Sequence, residues 1–136
     1  MADLNNTMMI SASGLKAQSQ RMRVIAENMA NASSTGDTPG ADPYRRRIPT
    51  FGNVVDRELG VNMVEVKRIV ADRSEFGLKF DPSHPAANED GYVKTPNVKG
   101  LVETMDMHEA QRSYEANLNT MDAARTMAAR TLDLLK

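Results

Sequence analysis

The chain has 136 residues, and its 17 Lys and Arg nearly balance 18 Asp and Glu, which gives a net charge of −1. This length fits one modest domain, and the charge balance argues against nucleic acid or an anionic membrane as a partner chosen by bulk charge. The absence of cysteine excludes thiol catalysis, cysteine-ligated zinc and disulfide bonds.

The N-terminal sequence MADLNNTMMISASG lacks the basic segment and the following apolar segment of a signal peptide. No run of the chain approaches 18 apolar residues. We therefore expect no cleaved signal peptide and no insertion into a membrane.

The segment 1–32 contains no proline and a single glycine. Four large apolar residues recur every seven positions and share one face, namely Met8, Leu15, Met22 and Met29. This spacing predicts a helix with one apolar seam. Asn28 and Asn31 lie near its end, where asparagine tolerates left-handed backbone and can bond to free backbone groups, so the pair predicts a helix stop.

Residues 33–100 hold seven of the eight glycines and all six prolines, a composition typical of turns and loops. Two stretches within it, residues 44–51 and 61–70, have the β-branched residues or partial alternation of strands. A further short strand is predicted at 92–93, after a turn signal. The middle of the chain should therefore contain a small sheet.

Three consecutive arginines, Arg45, Arg46 and Arg47, lie in the first of these predicted strands. Alternate members of a strand face solvent. We therefore expect a solvated basic face, with contact to an acidic partner as the alternative.

The stretch 81–98, DPSHPAANEDGYVKTPNV, gathers carboxylates, amides and a histidine in a loop with three prolines. An EF-hand loop that started at Asp81 would need ligands where Ser83 and Pro85 stand, so that match fails. A catalytic zinc site needs about three ligands, and the two histidines lie in unrelated segments. No GxSxG, P-loop or GxGxxG motif occurs either. We expect no metal, no cofactor and no enzymatic activity.

The same stretch is better explained as a stiff connector between the sheet and the last helix. Pro82 and Pro85 fix φ and block helix formation, and glycine at 91 allows a tight turn. The predicted joint consists of Pro82, Pro85, Gly91, Tyr92, Pro96 and Asn97.

The segment 101–136 contains neither glycine nor proline. Five residues again recur every seven positions, and Leu118 and Leu132 reinforce them; the five are Met107, Tyr114, Met121, Ala128 and Leu135. A helix over this segment would be roughly 54 Å long, more than so small a domain covers alone. A seven-residue period over four heptads favours the coiling of helix on helix.

The predicted fold is mainly α, with a small β-rich middle segment and with long N- and C-terminal helices packed as a coiled coil. The predicted divisions are 1–32, 33–100 and 101–136. Two helices and a small middle segment bury little surface, and methionine adapts to different neighbours. We therefore expect the seams also to pack between molecules.

Four sequence motifs follow one another along nearly the whole chain: NMANA at 28–32, PGADPYRR at 39–46, the DP, GYV and PNV elements within 81–98, and EAQRSYEAN at 109–117. Together they resemble the bacterial flagellar basal-body rod proteins, and among these the proximal rod proteins. The first motif belongs to an NxxNxxT-like pattern in which Ser34 takes the threonine position and keeps its hydroxyl.

The resemblance implies a mechanical function. In rod proteins the terminal helices form an inner coiled-coil tube and the middle segment faces outward, so here 1–32 and 101–136 would line the tube. Copies would join head to tail through contacts that do not close into a ring, and would therefore build a helical shaft. This shaft would transmit torque from motor to hook. The expected location is the basal-body rod that spans the periplasm, reached without a cleaved signal peptide.

The implied partners are other copies of the chain, other flagellar rod proteins and the flagellar export apparatus. One of the two asparagines at the end of the first helix could bond to a neighbouring subunit. The expected assembly interface consists of Leu15, Met22, Asn28, Met29, Asn31, Met107, Arg112, Tyr114, Asn117, Leu118, Met121, Leu132 and Leu135.

Two other functions stay open at this point. A coiled-coil chaperone or adaptor of the secretion system would also have two helices that each carry an apolar seam. Such a protein would more often be acidic and would form a discrete dimer. A metal-dependent hydrolase is a more distant alternative.

Overall fold

The computed structural model describes all residues, 1–136. In chain order, a long helix is followed by four strands and then by a second long helix. The elements are α1 Ala2–Ala30, β1 Arg47–Asp56, β2 Val61–Ala71, β3 Gly77–Phe80, β4 Tyr92–Thr95 and α2 Gly100–Leu134. The terminal helices pack together, and the strands form two small antiparallel hairpins. The predicted fold, mainly α with a β-rich middle, is confirmed.

The chain divides into two compact units, and each helix contributes to both. The first unit comprises residues 1–22, 49–68 and 108–136, and the second comprises 23–48 and 69–107. The predicted division of the chain into tube-forming and outward-facing parts concerns an assembly and stays a prediction. Neither helix is apolar enough over 18 residues to cross a membrane.

The most buried face of α2 is lined by small or polar residues. Positions spaced by seven are fully or half buried, namely Glu103, Ala110, Asn117, Ala124 and Thr131. The predicted row of Met107, Tyr114, Met121 and Ala128 is half-buried beside them. On α1 the buried residues are likewise mostly small or polar, and they include Ser11, Ala17 and Asn28. Small side chains let two helix backbones come close, and the larger apolar residues then fill the flanks.

The two helices come close together at Gly14 in the first unit. A Cβ atom added there would lie 2.7 Å from Nδ2 of Asn117, closer than carbon and nitrogen can pack. The Asn117 amide is itself held, because Nδ2 donates to the carbonyl of Ser113 at 3.0 Å. Gly14 is therefore required by the packing of the helix pair.

The first hairpin, β1–β2, turns at residues 57–60. The Gly60 N–H donates to the Asp56 carbonyl at 2.8 Å, and φ of Gly60 is +66°, a left-handed conformation that glycine adopts without cost. Asp56 Oδ1 accepts from the backbone N–H groups of Glu58 and Leu59. The sequence predicted both strands, although β1 begins at Arg47 rather than at 44.

The second hairpin pairs β3 with β4 in antiparallel register, from Gly77 opposite Thr95 to Phe80 opposite Tyr92. One face carries Val93, which is buried. The opposite face carries Leu78, Phe80 and Tyr92, which are exposed, and the two rings meet edge to face at 5.3 Å. The strand at 92–93 was predicted, but β3 was not.

Candidate assembly site

A polar cluster in the second unit links the end of α1 to the start of α2. We use the name polar cluster for Asn28, Tyr44, Arg46, Arg47, Asp72, Glu103 and Asp106. Two of its members, on different helices, have almost no access to solvent: the exposed fraction is 1 % for Asn28 and 0 % for Glu103. Every buried side-chain nitrogen and oxygen in the structure has a hydrogen-bond partner, which is the condition for burying such groups.

Asn28 uses all of its hydrogen-bonding capacity inside the chain. Its Oδ1 accepts from the Arg47 backbone N–H at 2.9 Å and from the Tyr44 hydroxyl at 2.9 Å. Its Nδ2 donates to the Arg47 carbonyl at 2.8 Å and to Glu103 Oε2 at 3.4 Å. An amide has two donors and one oxygen with two lone pairs, so no group remains for an outside partner. Asn28 thus pairs with the start of β1 as a neighbouring strand would.

Arg46 forms ion pairs with all three carboxylates of the cluster. Its Nε donates to Glu103 Oε1, and its two terminal nitrogens lie 3.3 Å from Asp72 Oδ2 and 3.1 Å from Asp106 Oδ2. Burial lowers the pKa of the Arg46 guanidinium, but the hydrogen bond and charge of Glu103, aided by Asp72 and Asp106, outweigh it and raise the pKa overall. Arg46 is therefore a permanent cation in this site.

The middle segment holds the other members of the cluster in place. The Ser74 backbone N–H donates to Asp72 Oδ1 at 2.8 Å, and this bond is the main reason why the pKa of Asp72 is lowered, against the effect of burial and with the help of Arg46. Burial raises the pKa of Tyr44, with a smaller opposing effect of Arg47. Asn97 Oδ1 accepts from the Arg46 backbone N–H at 2.7 Å.

The expectation of a solvated arginine face is wrong for two of the three residues. Arg46 is half-buried among carboxylates of its own chain. Arg45 donates to the Asp72 and Ser74 carbonyls, and its guanidinium carbon lies 4.1 Å from the centre of the Phe76 ring. Only Arg47 is exposed, 3.8 Å from a Glu27 oxygen. No acidic residue close in sequence pointed to these contacts, which join distant segments.

Asn31 ends α1 through side-chain bonds. Its Nδ2 donates to the Glu27 carbonyl at 2.8 Å, and its Oδ1 accepts from the Ser34 hydroxyl at 3.0 Å. The expected left-handed backbone is absent, because no residue other than glycine has a positive φ. The helix stop is confirmed. The hydroxyl that Ser34 retains at the threonine position forms the bond to Asn31.

The expectation that 81–98 forms one connector between the sheet and α2 is wrong for most of that stretch. Residues 81–91 form a hydrogen-bonded loop that closes the hairpin of β3 and β4, and only residues 96–99 lie between β4 and α2. The Asp81 N–H donates to the Gly91 carbonyl at 2.9 Å, and the Asn88 N–H donates to the Tyr92 carbonyl at 2.9 Å. Asn88 Oδ1 accepts in turn from the N–H groups of Asp90 and Tyr92. Gly91 has φ of +85°, and a Cβ there would lie 3.0 Å from atoms of Phe80 and Pro82.

His84 forms hydrogen bonds through both ring nitrogens. Its Nδ1 accepts from the Ala86 backbone N–H at 3.0 Å, and its Nε2 lies 3.2 Å from the Thr35 hydroxyl oxygen. Because Nδ1 accepts, Nε2 carries the proton and donates to Thr35. The imidazole thus ties the loop to the segment that follows α1. The sequence identified the prolines and the turn at 88–91, but it did not predict the bonds that the Asn88 and His84 side chains form with backbone groups.

Large apolar residues are exposed along α2, which supplies most of the predicted assembly interface. Leu132 has an exposed fraction of 52 %. The exposed large apolar residues of this helix and its end are Leu101, Val102, Met105, Leu118, Met127, Leu132, Leu134 and Leu135.

The residues predicted for the assembly interface fall into three classes of burial. Asn28 is buried. The exposed ones are Met29, Arg112, Leu118, Leu132 and Leu135, and the half-buried ones are Leu15, Met22, Asn31, Met107, Tyr114, Asn117 and Met121.

Comparison with known proteins first gives the class. Residues 8–36 match the family described as flagella basal body rod protein, and residues 89–134 match the flagellar basal body rod FlgEFG protein C-terminal family. The matched segments contain most of α1 and all of α2.

Full-length relatives then give the family within that class. The chain is 52 % identical to the flagellar basal-body rod protein FlgC of Agrobacterium fabrum, over 100 % of this chain and 98 % of the relative. It is 37 % identical to FlgC of Aquifex aeolicus over the whole of both chains, and 35 % identical to FlgC of Bacillus subtilis over 96 % of this chain and 97 % of the relative. The chain belongs to the FlgC family of flagellar basal-body rod proteins, which are structural proteins and not enzymes.

Proposed function

We propose that the chain is a subunit of the proximal rod that assembles helically with copies of itself and with other rod proteins to transmit torque from motor to hook. One observation carries the proposal: few large apolar residues are buried and many are exposed. The buried apolar residues are Ala17, Val24, Ile25, Ala86, Val93, Ala110 and Ala124, four of which are alanines.

The exposed surface supports the same proposal. The chain exposes 9364 Å², whereas a globular monomer of 15.0 kDa exposes roughly 7,000 Å² by the usual scaling of surface with mass. A large exposed apolar area on a soluble chain marks a surface that another protein covers. Assembly would complete the core that the isolated chain lacks.

The faces of α1 and α2 are the proposed interface. Among the predicted interface residues, Met29, Leu118, Leu132 and Leu135 expose apolar surface and are the proposed contacts with neighbouring subunits. Asn28 has no free polar group, so its contribution would be indirect, through the position of α1. The stiff loop at 81–91 would keep the second hairpin in shape, and the short connection at 96–99 would set the direction of that hairpin relative to α2. The flagellar export apparatus would deliver the chain.

The alternative of a secretion chaperone or adaptor loses its support. It depended on the two seamed helices alone, and the similarity to rod proteins extends over the entire chain, including the middle segment. A metal-dependent hydrolase is not supported by any of the relatives.

The test places a charge on the proposed interface without disturbing the fold. Leu118→Asp and Leu132→Asp lie at exposed positions, so we expect the free energy of unfolding of the purified chain to change by about 0.5 kcal/mol or less. In a strain that lacks the native gene, each variant should be exported but should fail to enter rods, because burying an unpaired carboxylate costs several kcal/mol. Asn119→Asp, exposed on the same helix, is the matched control.

Basal bodies imaged from the complemented strains, together with swimming on soft agar, give the result. Rods of normal length and normal motility in both leucine variants would overturn the proposal for this face of α2.

A further inference from the structure

We propose that the contact between Asn28 and Glu103 fixes the register in which α1 and α2 pair. The inference goes beyond assembly, because it concerns how the chain chooses one pairing of its own helices. It starts from a degeneracy in the sequence. The seam residues of the two helices, such as Met8, Leu15 and Met22 on α1, recur every seven positions, so with respect to these residues a shift of one helix by a heptad brings equivalent side chains into the same places.

The small and polar residues remove this degeneracy. Asn28 lies against Glu103 in the second unit, and Gly14 lies against Asn117 in the first. Fourteen residues, or two heptads, separate the partners on each helix. Both contacts therefore belong to one antiparallel register.

A heptad shift would break both contacts in a specific way. In one direction Asn28 would face Ala110 and leave its Nδ2 without the Glu103 carboxylate, and Asn117 would face Arg21 where it now faces glycine. A buried polar group without a partner costs about 1–3 kcal/mol, and overpacking costs a similar amount. A polar pair at the seam of a coiled coil is a recognised means of fixing register.

Other residues of the polar cluster tie the contact between Asn28 and Glu103 to the segment that leads into β1. Asn28 also binds both backbone groups of Arg47, and Glu103 binds Arg46, the preceding residue. The register of the helix pair is therefore tied to the start of β1.

Spin labels measure the register directly, because the chain has no cysteine of its own. Ala26→Cys and Thr104→Cys place labels at exposed positions of α1 and α2 in the second unit. The doubly labelled chain should give one narrow distance by pulsed electron resonance. In Asn28→Leu with Glu103→Leu a second, longer distance should appear, because a shift of one heptad slides one label roughly 10 Å along the helix axis relative to the other.

Glu103→Ala alone is the second variant, because it keeps the bonds of Asn28 to Arg47 and leaves Arg46 with two carboxylates. Glu103→Gln keeps a side chain of the same shape and should retain the single distance. Circular dichroism reports the helix content of each variant. A single native distance in either the double leucine variant or Glu103→Ala, with native helix content, would overturn the proposal. Loss of helix in both variants would overturn it too, since the cluster would then be needed for folding rather than for register.

Discussion

The Asn28 side chain pairs with the Arg47 backbone in both directions, accepting from its N–H at 2.9 Å and donating to its carbonyl at 2.8 Å. This is the bonding that a neighbouring strand would provide, but it comes from a residue in the last turn of a helix. Since Arg47 is the first residue of β1, the pairing connects the end of α1 to the start of the sheet.

Asn28→Ala should therefore destabilise the chain far more than a typical helix substitution. It leaves the part-buried Arg47 N–H and carbonyl and the part-buried Tyr44 hydroxyl without their partner, and it removes a hydrogen bond from the buried Glu103 carboxylate. An orphaned group that water cannot reach costs about 1–3 kcal/mol. Urea unfolding followed by circular dichroism measures the effect. Asn31→Ala is the control, because Asn31 bonds only to Glu27 and Ser34 near the helix end. Equal stability of the two variants would contradict the role assigned to Asn28.

Glu103→Gln tests the charge in the cluster separately from its shape. The substitution removes a buried carboxylate from beside Arg46, which keeps Asp72 and Asp106 as partners. We expect a loss of about 1–3 kcal/mol in the free energy of unfolding, because hydrogen bonds to charged groups are the stronger ones.

Glu109→Gln is the matched change on the same helix. The Glu109 side chain is 70 % exposed and lies 3.4 Å from Arg21, so its loss should cost no more than about 1 kcal/mol. If the two substitutions have the same effect on unfolding, burial of Glu103 has no energetic consequence and the cluster is only a surface network.

The helices could be predicted from the sequence, but the face at their closest approach could not. A seven-residue period of Met and Leu correctly indicated two helices with an apolar side. The residues at the centre of the contact are instead Gly14, Asn28, Glu103 and Asn117. Gly14 lets the two backbones come close because it has no side chain, and the other three are polar. Hydrophobicity alone does not reveal this.

Contacts between distant segments limited the other predictions in the same way. The sequence indicated β4 but not β3, because four residues with an exposed pattern are strand only through pairing with Tyr92–Thr95. Arg46 was expected in solvent, because its carboxylate partners lie 26 to 60 residues away along the chain. Long-range ion pairs leave no local pattern.

Acid should weaken the cluster through Asp72. The pKa of Asp72 is lowered in the folded chain, mainly by the Ser74 N–H, so the unfolded chain binds more protons at mildly acidic pH. The resulting stabilisation is complete above the unfolded pKa of about 3.9 and is lost as the pH falls through the lower folded value. Asp72→Asn should reduce the fall in unfolding free energy between pH 5 and pH 3 (roughly the window set by these values).

Urea unfolding at several pH values, with Asp122→Asn on the exposed face of α2 as control, measures this difference. An acid dependence in Asp72→Asn that equals that of the native chain would show that the carboxylate does not contribute.

Gly14→Ala should destabilise the chain although alanine is the better helix former. The gain from helix propensity is about 1 kcal/mol, but the new methyl group would lie 2.7 Å from Asn117 Nδ2, and overpacking costs about 1–3 kcal/mol. Asn117→Ala should relieve the clash, so the double variant should be more stable than Gly14→Ala alone. Strict additivity of the two changes in a double-mutant cycle would mean that the side chains do not meet.

The two prolines of the proposed joint should matter through backbone freedom rather than through contacts. Both are exposed, so replacing them removes little packing. Pro82→Gly with Pro85→Gly increases the freedom of the unfolded chain, which should lower the free energy of unfolding by about 0.4–1 kcal/mol per site. A loop with a less fixed backbone should also hold the middle segment less firmly, and we therefore expect irregular rods and reduced swimming.

Asp90→Asn is the control for this loop, because it removes an exposed carboxylate and leaves the Asp90 backbone bond to Asn88 intact. It should swim normally, with and without a chelator in the agar. Normal rods in the double proline variant would remove the joint from the mechanism, since the hydrogen bonds of Asn88 and His84 would then be enough to fix the loop. A defect confined to Asp90→Asn, and mimicked by chelator, would point instead to a bound cation at these carboxylates.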